Sequence, residues 1–175
     1  MIIRRGLTTA DREPLETLIR ETAFFNAEEM EVALELIDNG LANGEASHYR
    51  FVVAEVDASV AGYACWGPIP GTAASADLYW IVVHPAHQGR GIGAALLQAA
   101  ETWMASADRT RVYVETSTRA QYDPTRRFYL SCGYHVAAEL ADFYAPGDGK
   151  AIFLKVLSVE TCRPAFLPIR LNPAR

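Results

Sequence analysis

The 175-residue chain suits one domain built around one core. Half of its residues are hydrophobic and 21% are charged, a balance that excludes a disordered chain. The net charge of −5, with a pI near 5.4, argues against nucleic acid as the main partner.

In chain order, Ile2 to Arg5 reads as a short first strand. Thr9 or Asp11 is placed to cap the next helix, where Leu15, Leu18 and Ile19 stand at helical spacing. Phe24-Phe25-Asn26 breaks that helix. Met30, Ala33, Leu34, Ile37 and Leu41 mark a second amphipathic helix, expected to end near Asn39-Gly40. Phe51 to Val56 and Val60 to Trp66 read as a hairpin joined by Asp57-Ala58-Ser59. Gly67-Pro68-Ile69-Pro70-Gly71 is a turn-rich connection within the domain.

Leu78 to Val83 reads as an apolar strand. It leads into Gln88-Gly89-Arg90-Gly91-Ile92-Gly93, which opens a helix continuing to about Met104 with Ile92, Leu96, Ala99 and Trp103 as its buried stripe. Arg111 to Thr116 forms the next strand. A further helix runs through Phe128 and Tyr129, with Gly133 as its C-cap residue and extended chain from Tyr134. Val136 to Leu140 and Ala151 to Val156 are the last strands, and Pro146-Gly147-Asp148-Gly149 turns the final hairpin. The order β-α-α-β-β-β-α-β-α-β-β implies an α/β fold with a mixed, mostly antiparallel sheet over residues 1–157. The tail of residues 158–175, with Pro164, Pro168 and Pro173, is expected to be loosely ordered or to dock on a partner subunit.

Cys65, Cys132 and Cys162 are widely spaced and lack a CxxC pattern, so they read as reduced thiols of a cytosolic protein. Met1 to Arg5 carries basic residues without the following apolar run of a signal peptide. No stretch approaches the roughly 20 apolar residues of a membrane span. A cytoplasmic location without membrane contact is the expectation. His84 and His87 lack a matching Cys or carboxylate cluster, so no metal is expected.

The glycine-rich run carries the most chemistry. A turn of this kind at a helix start leaves backbone N–H groups unpaired beside the positive end of the helix dipole, a site for phosphate or pyrophosphate. Arg90 adds a fixed positive charge. A P-loop is excluded because the required lysine is missing. A dinucleotide fingerprint starts at Gly91-x-Gly93, but its third glycine would fall on Leu96. The scheme Gln/Arg-x-x-Gly-x-Gly/Ala is met by Gln88, Gly91 and Gly93. Downstream, Phe128-Tyr129-Leu130-Ser131-Cys132-Gly133-Tyr134 adds a helix ending in Phe-Tyr-x-x-x-Gly-Tyr.

In these two motifs, in this order, the chain resembles the GNAT superfamily of N-acetyltransferases over roughly residues 1–157. Leu78-Tyr79-Trp80-Ile81, Glu115-Thr116-Ser117 and the run 142–148 look like a bacterial subgroup whose acceptor the sequence does not name. The resemblance implies the GNAT fold, in which two central parallel strands, flanked by helices, splay apart around acetyl-CoA as co-substrate. It implies that Gln88, Gly89, Arg90, Gly91, Ile92, Gly93 and Ala94 hold the diphosphate. Ile81, Val82 and Val83 would pair with the pantetheine arm, and Thr125 and Arg126 would reach the cofactor.

The implied reaction is direct attack of a small-molecule, amino-acid or peptide amine on the thioester, through a tetrahedral intermediate. Tyr129 matches the family tyrosine that protonates the departing thiolate; the alternative is a packing role. In a histone-acetylating branch a catalytic glutamate stands eleven positions before the motif glutamine, and here that position is Asp77. Strand alternation puts Asp77 and Tyr79 on one face. Glu115 is the second candidate base, and many relatives use a water chain instead. Phe25, Asn26, Trp66, Tyr79 and Tyr144 are candidates for the acceptor site. Tyr122 departs from the Asn that many relatives carry. The negative charge suits a cationic amine. A non-catalytic acyl-CoA-binding module is the competing reading, and a monomer or homodimer is expected. The length of the acyl chain stays open.

Overall fold

The computed structural model describes residues 1–158; the expectations for the tail beyond Ser158, Cys162 included, lie outside the described residues. The elements are β1 (Ile2–Arg5), α1 (Arg12–Glu21), α2 (Ala27–Asn43), β2 (Arg50–Val56), β3 (Ser59–Pro68), β4 (Ser75–Val83), α3 (Ile92–Ser106), β5 (Arg111–Ser117), α4 (Asp123–Ser131), β6 (His135–Ala145) and β7 (Asp148–Val156). The seven strands form one sheet in the order β1-β2-β3-β4-β5-β7-β6. Every neighbouring pair is antiparallel except β4 and β5, which run parallel.

Strand alternation divides the core into two faces. Val52, Ala64, Leu78, Val112 and Phe153 point to the side covered by α3 and α4, where Leu96, Leu97, Met104 and Tyr129 pack. Phe51, Val53, Tyr63 and Val82 point to the other side, against Leu15 and Ile19 of α1 and Ile37 of α2. The buried stripe of α3 is Ile92, Leu96, Leu97, Ala100 and Met104. Ala99 and Trp103, expected on that stripe, lie at its half-buried margin.

Several boundaries differ from the sequence reading: β3 runs to Pro68, β4 starts at Ser75 and β7 at Asp148, and three further differences have a local cause. The second helix runs through Gly40 to Asn43, because Gly40 has a packing role inside it. A Cβ at Gly40 would meet the Phe51 ring at 2.5 Å, so the glycine lets α2 lie against β2. The β2–β3 hairpin turns on two residues, Asp57 and Ala58, both at positive φ (51° and 62°) as a type I′ turn requires. The sixth strand extends past Leu140 to Ala145 through an irregularity at Asp142, whose φ is +52°. That extension places the Phe143 and Tyr144 rings beside Lys150 Nζ of β7, at 3.9 and 5.6 Å.

Two features position the site. The parallel β4–β5 contact covers only Ser75 to Asp77 against Arg111 to Tyr113; beyond it the strands part, and β4 from Leu78 to Val83 keeps one edge without a strand partner. The β3–β4 register slips by one residue, with Cys65 opposite Trp80 and Trp66 opposite Leu78. Tyr79 is the extra residue of a β-bulge, and the facing of β4 reverses there.

Candidate active site

At the end of β4 the chain makes one short 3-10 turn, Pro85–His87, and then the glycine-rich loop. His84 fixes this turn from both ring nitrogens. Nδ1 accepts from the Ala86 amide at 3.1 Å, and Nε2 lies 2.6 Å from Glu21 Oε2 on α1. Gln88 Nε2 donates back to the Val83 carbonyl at 3.1 Å, so its side chain closes the loop. Gly89 and Gly91 sit at φ +71° and +79° with nothing near a built Cβ. Backbone conformation, and not lack of space, is what requires glycine there.

Gly91 is the N-cap of α3, and Ala95 N–H closes the helix onto its carbonyl. The amides of Ile92, Gly93 and Ala94 therefore have no helical acceptor and lie at the positive end of the dipole. They line an open cavity of about 660 Å³ shared with Ile81, Thr125 and Phe128. Arg90 is exposed beside it. The donor set fits a diphosphate.

Within the β4–β5 gap a second cavity, of about 470 Å³, runs along Trp80 to Val83 and reaches Thr116 and Tyr129. Tyr129 is 4% exposed and packs against Tyr134 and Phe153. Burial, with a smaller contribution from Cys132, pushes its phenol well above the ordinary value, so it keeps its proton at neutral pH. Thr116 is 6% exposed, and its Oγ1 is buried with no hydrogen-bond partner.

A third cavity, of about 570 Å³, lies where β4 and β5 come together; Tyr79, Trp80, Glu115, Thr116 and Tyr122 line it and the second cavity alike. Asp77 lies in it with Tyr144 and Asp148. Burial first, then the nearby Glu115 charge, raise the Asp77 carboxyl above its usual range, and Lys150 partly offsets this. Glu115 itself is paired to Lys150 at 2.5 Å, and Asp148 to Arg119 at 3.0 Å. Tyr79 Oη lies 3.1 Å from His48 Nε2, and its pKa is pushed up to about 12, mainly by burial and then by the Asp77 charge. Gly67 makes room for this contact: a Cβ there would meet His48 and Tyr79 at about 3.0 Å.

The structure brings Asp77, Tyr79, Glu115, Tyr144 and Asn26 to one cavity, and Phe25 to the neighbouring one, where its ring stands edge-on to Trp80 at 5.0 Å. Asn26 serves the α2 cap: its side chain accepts from the Glu29 amide. Two of the candidates have their contacts elsewhere in the protein. Trp66 is 2% exposed in the α3-side core, edge-on to Trp103, because its place on β3 points it away from the acceptor face. Arg126 is held within the protein: Nη1 donates to the carbonyls of Ser117 (2.6 Å) and Arg119 (3.1 Å), and Nη2 pairs with Asp123. It braces the corner between β5 and α4.

Sequence reasoning missed Trp80, Thr116 and Tyr122 as walls of the site, and the His48–Tyr79 pair. Tyr122 stacks edge-on with Phe24 at 5.0 Å and its hydroxyl lies 3.3 Å from Glu29 Oε1. Among the described residues no group of three or more His, Cys, Asp and Glu is placed to hold a metal, and no helix is long and apolar enough to cross a membrane.

A family profile described as the acetyltransferase (GNAT) family matches residues 13–134. A solved structure of a GNAT-family protein from Desulfovibrio desulfuricans is 39% identical, with a TM-score of 0.87, covering 90% of this chain and 99% of that one. More distant structures share the fold. An aminoglycoside 6'-N-acetyltransferase complexed with coenzyme A is 18% identical with a TM-score of 0.72, covering 94% of this chain and 99% of that chain. The PaiA N-acetyltransferase from Thermoplasma acidophilum, also with coenzyme A, is 21% identical with a TM-score of 0.68, covering 89% and 99%. No curated protein matches the chain.

Proposed function

The chain belongs to the GNAT acetyltransferase family, and from that premise we propose that it transfers the acetyl group of acetyl-CoA to a primary amine of a small molecule or peptide. The observation that carries this reading is the arrangement along the β4–β5 gap. Open helix-start amides lie at one end, the buried phenol of Tyr129 along it, and the half-buried Asp77 at the other.

A thioester substrate has most of its bulk far from the reacting carbon. Binding energy from the diphosphate at Gly89 to Ala94, and from the pantetheine arm along the free edge of β4, serves to hold that carbon in place for attack. The free edge offers main-chain N–H groups near Val82 and Val83 for the thioester oxygen, which gains charge as the amine adds.

The acceptor arrives as an ammonium with a pKa of roughly 10 and must lose a proton before it attacks. Asp77, raised above the ordinary carboxylate range, is the better proton acceptor of the two candidate carboxylates, since Glu115 is held by Lys150. The amine nitrogen then bonds to the thioester carbon, and the C–S bond breaks as the tetrahedral intermediate collapses. Tyr129, kept protonated by burial, donates to the departing sulfur. The nitrogen gives up its second proton as the intermediate collapses, which balances the proton Tyr129 donates, and the proton on Asp77 passes to solvent; the products are the N-acetylated acceptor and free coenzyme A.

Release of free coenzyme A from acetyl-CoA across a panel of amines tests this reading. Acceptor-dependent release supports it. Tight acetyl-CoA binding without release for any acceptor class would favour a non-catalytic acyl-CoA-binding module.

A further inference from the structure

The geometry points to an organic dication as the acceptor: a molecule that places a primary amine at Asp77 and a second cationic centre toward Glu28 and Glu29, with no carboxylate of its own. This rests on the acyl-transfer reading above and specifies its acceptor.

The charge lining the acceptor cavity is one-sided. Glu28, Glu29, Asp77, Glu115 and Asp148 line it, with Arg119 as the cation among the lining residues. Ion pairing neutralises two of the carboxylates, Asp148 by Arg119 and Glu115 by Lys150. Glu28, Glu29 and Asp77 form no ion pair among the described residues. Glu29 accepts from the Asn26 amide and lies within reach of the Tyr122 hydroxyl, contacts that leave its charge in place.

Two effects oppose this: the Lys150 charge also acts on Asp77, and the α2 dipole acts at the rim. Glu28 and Glu29 stand in the first turn of α2, whose dipole contributes about half a positive charge there. Two full negative charges exceed it, and Asp77 lies apart on β4.

The walls favour the same class of ligand. Tyr79, Trp80, Tyr122 and Tyr144 line the cavity, and aromatic faces attract ammonium groups. Thr116 supplies an independent sign that a ligand belongs here. The residue lines both the acceptor cavity and the thioester cavity, and its hydroxyl is buried and unpartnered. A buried hydroxyl without a partner is destabilising unless a bound molecule satisfies it. An acceptor bearing a carboxylate would bring like charge against Asp77 or the Glu28–Glu29 rim, whichever end entered first.

A matched series of five-carbon amines tests the inference by calorimetry on the protein saturated with coenzyme A. Pentylamine carries one cationic centre, cadaverine two, and lysine two plus a carboxylate. The expected result is that cadaverine binds at least about tenfold more tightly than either of the others, with a steep loss of affinity at high salt. Glu28→Gln, at an exposed position, narrows the cadaverine-to-pentylamine ratio. Equal affinities, tightest binding by lysine, or no detectable cadaverine binding would overturn the inference while acetyl-CoA binding still stood. Failure of acetyl-CoA itself to bind would overturn the acyl-transfer reading beneath it, and the inference with it.

Discussion

Tyr79 and Trp80 are adjacent in sequence yet face the same side of β4. The bulge at Tyr79 lets both side chains pack toward the α1–α2 face and line both cavities of the candidate active site. A regular strand would have sent one of them into the α3-side core. The bulge also divides the strand by task. Below it, Asp77 lines the cavity where β4 and β5 meet; above it, Ile81 and Val83 point to the α3 side and the cavity at the glycine-rich loop, and Val82 into the α1–α2 core.

Tyr129→Phe removes one hydroxyl from a well-packed ring and leaves the ring contacts in place. With the thiolate leaving unprotonated, kcat falls at least about tenfold while acetyl-CoA affinity changes little. Steady-state kinetics together with equilibrium titration separate the two; an unchanged turnover number removes Tyr129 from the mechanism.

As the proposed general base, Asp77 is expected to set the acidic limb of the pH–rate profile. Activity rises as pH passes through its raised pKa, so the limb lies above the ordinary carboxylate range. Asp77→Asn abolishes that limb and lowers the rate roughly ten- to a hundredfold. Glu115→Gln removes a like charge and moves the limb to lower pH. Stability follows the same linkage. A carboxyl whose pKa is raised on folding binds its proton more tightly in the native state, so its contribution is fully present below the unfolded pKa and is lost as pH rises through the folded one. Asp77→Asn therefore melts at a higher temperature than wild type at pH 7, and the difference shrinks on acidification. A wild-type acidic limb in the variant's pH–rate profile rules Asp77 out as the base.

Gly91 and Gly93 respond differently to the same substitution. Alanine at Gly91 must adopt φ near +79°, which costs roughly 1–2 kcal/mol and distorts the loop that aims the amides. Gly91→Ala thus weakens acetyl-CoA binding about tenfold or more. Gly93 is helical, and its Cβ would meet the Phe128 ring at an ordinary 3.5 Å. Gly93→Ala keeps affinity within about threefold and does not lower thermal stability, since alanine is the better helix residue. Paired titrations check the contrast.

Two further substitutions test the fold without touching the site. Gly40→Ala drives a methyl group into the Phe51 ring and destabilises by roughly 1–3 kcal/mol. Ala58→Gly relieves a left-handed alanine in the β2–β3 turn and stabilises by roughly 1 kcal/mol. Chemical denaturation reads both.

The fold and the geometry of the glycine-rich loop were legible because their signals are local. Helical spacing, glycine at left-handed positions and the order of elements all act over a few residues. The acceptor site was less legible. Asp77 and Tyr79 share a face by simple alternation, but Trp80 joins them only through a bulge that no residue in the sequence announces. Arg126 carries the right charge at a motif position, yet the two carbonyls that hold it arrive from β5 and the turn after it. Trp66 lies one register step from where it would line the cavity, and the face of a strand is set by its partners. The glycine at position 40 reads locally as a helix end, and only the tertiary contact with Phe51 explains its place inside α2.

The open amides between Gly89 and Ala94 are expected to bind the diphosphate of an acyl-coenzyme A. Calorimetry with acetyl-CoA and with acetyl-pantetheine, which has the same thioester arm and no diphosphate, tests that directly. The account predicts measurable association with acetyl-CoA and a large loss of affinity for acetyl-pantetheine. Equal affinity for the two, or no association with acetyl-CoA, would contradict it.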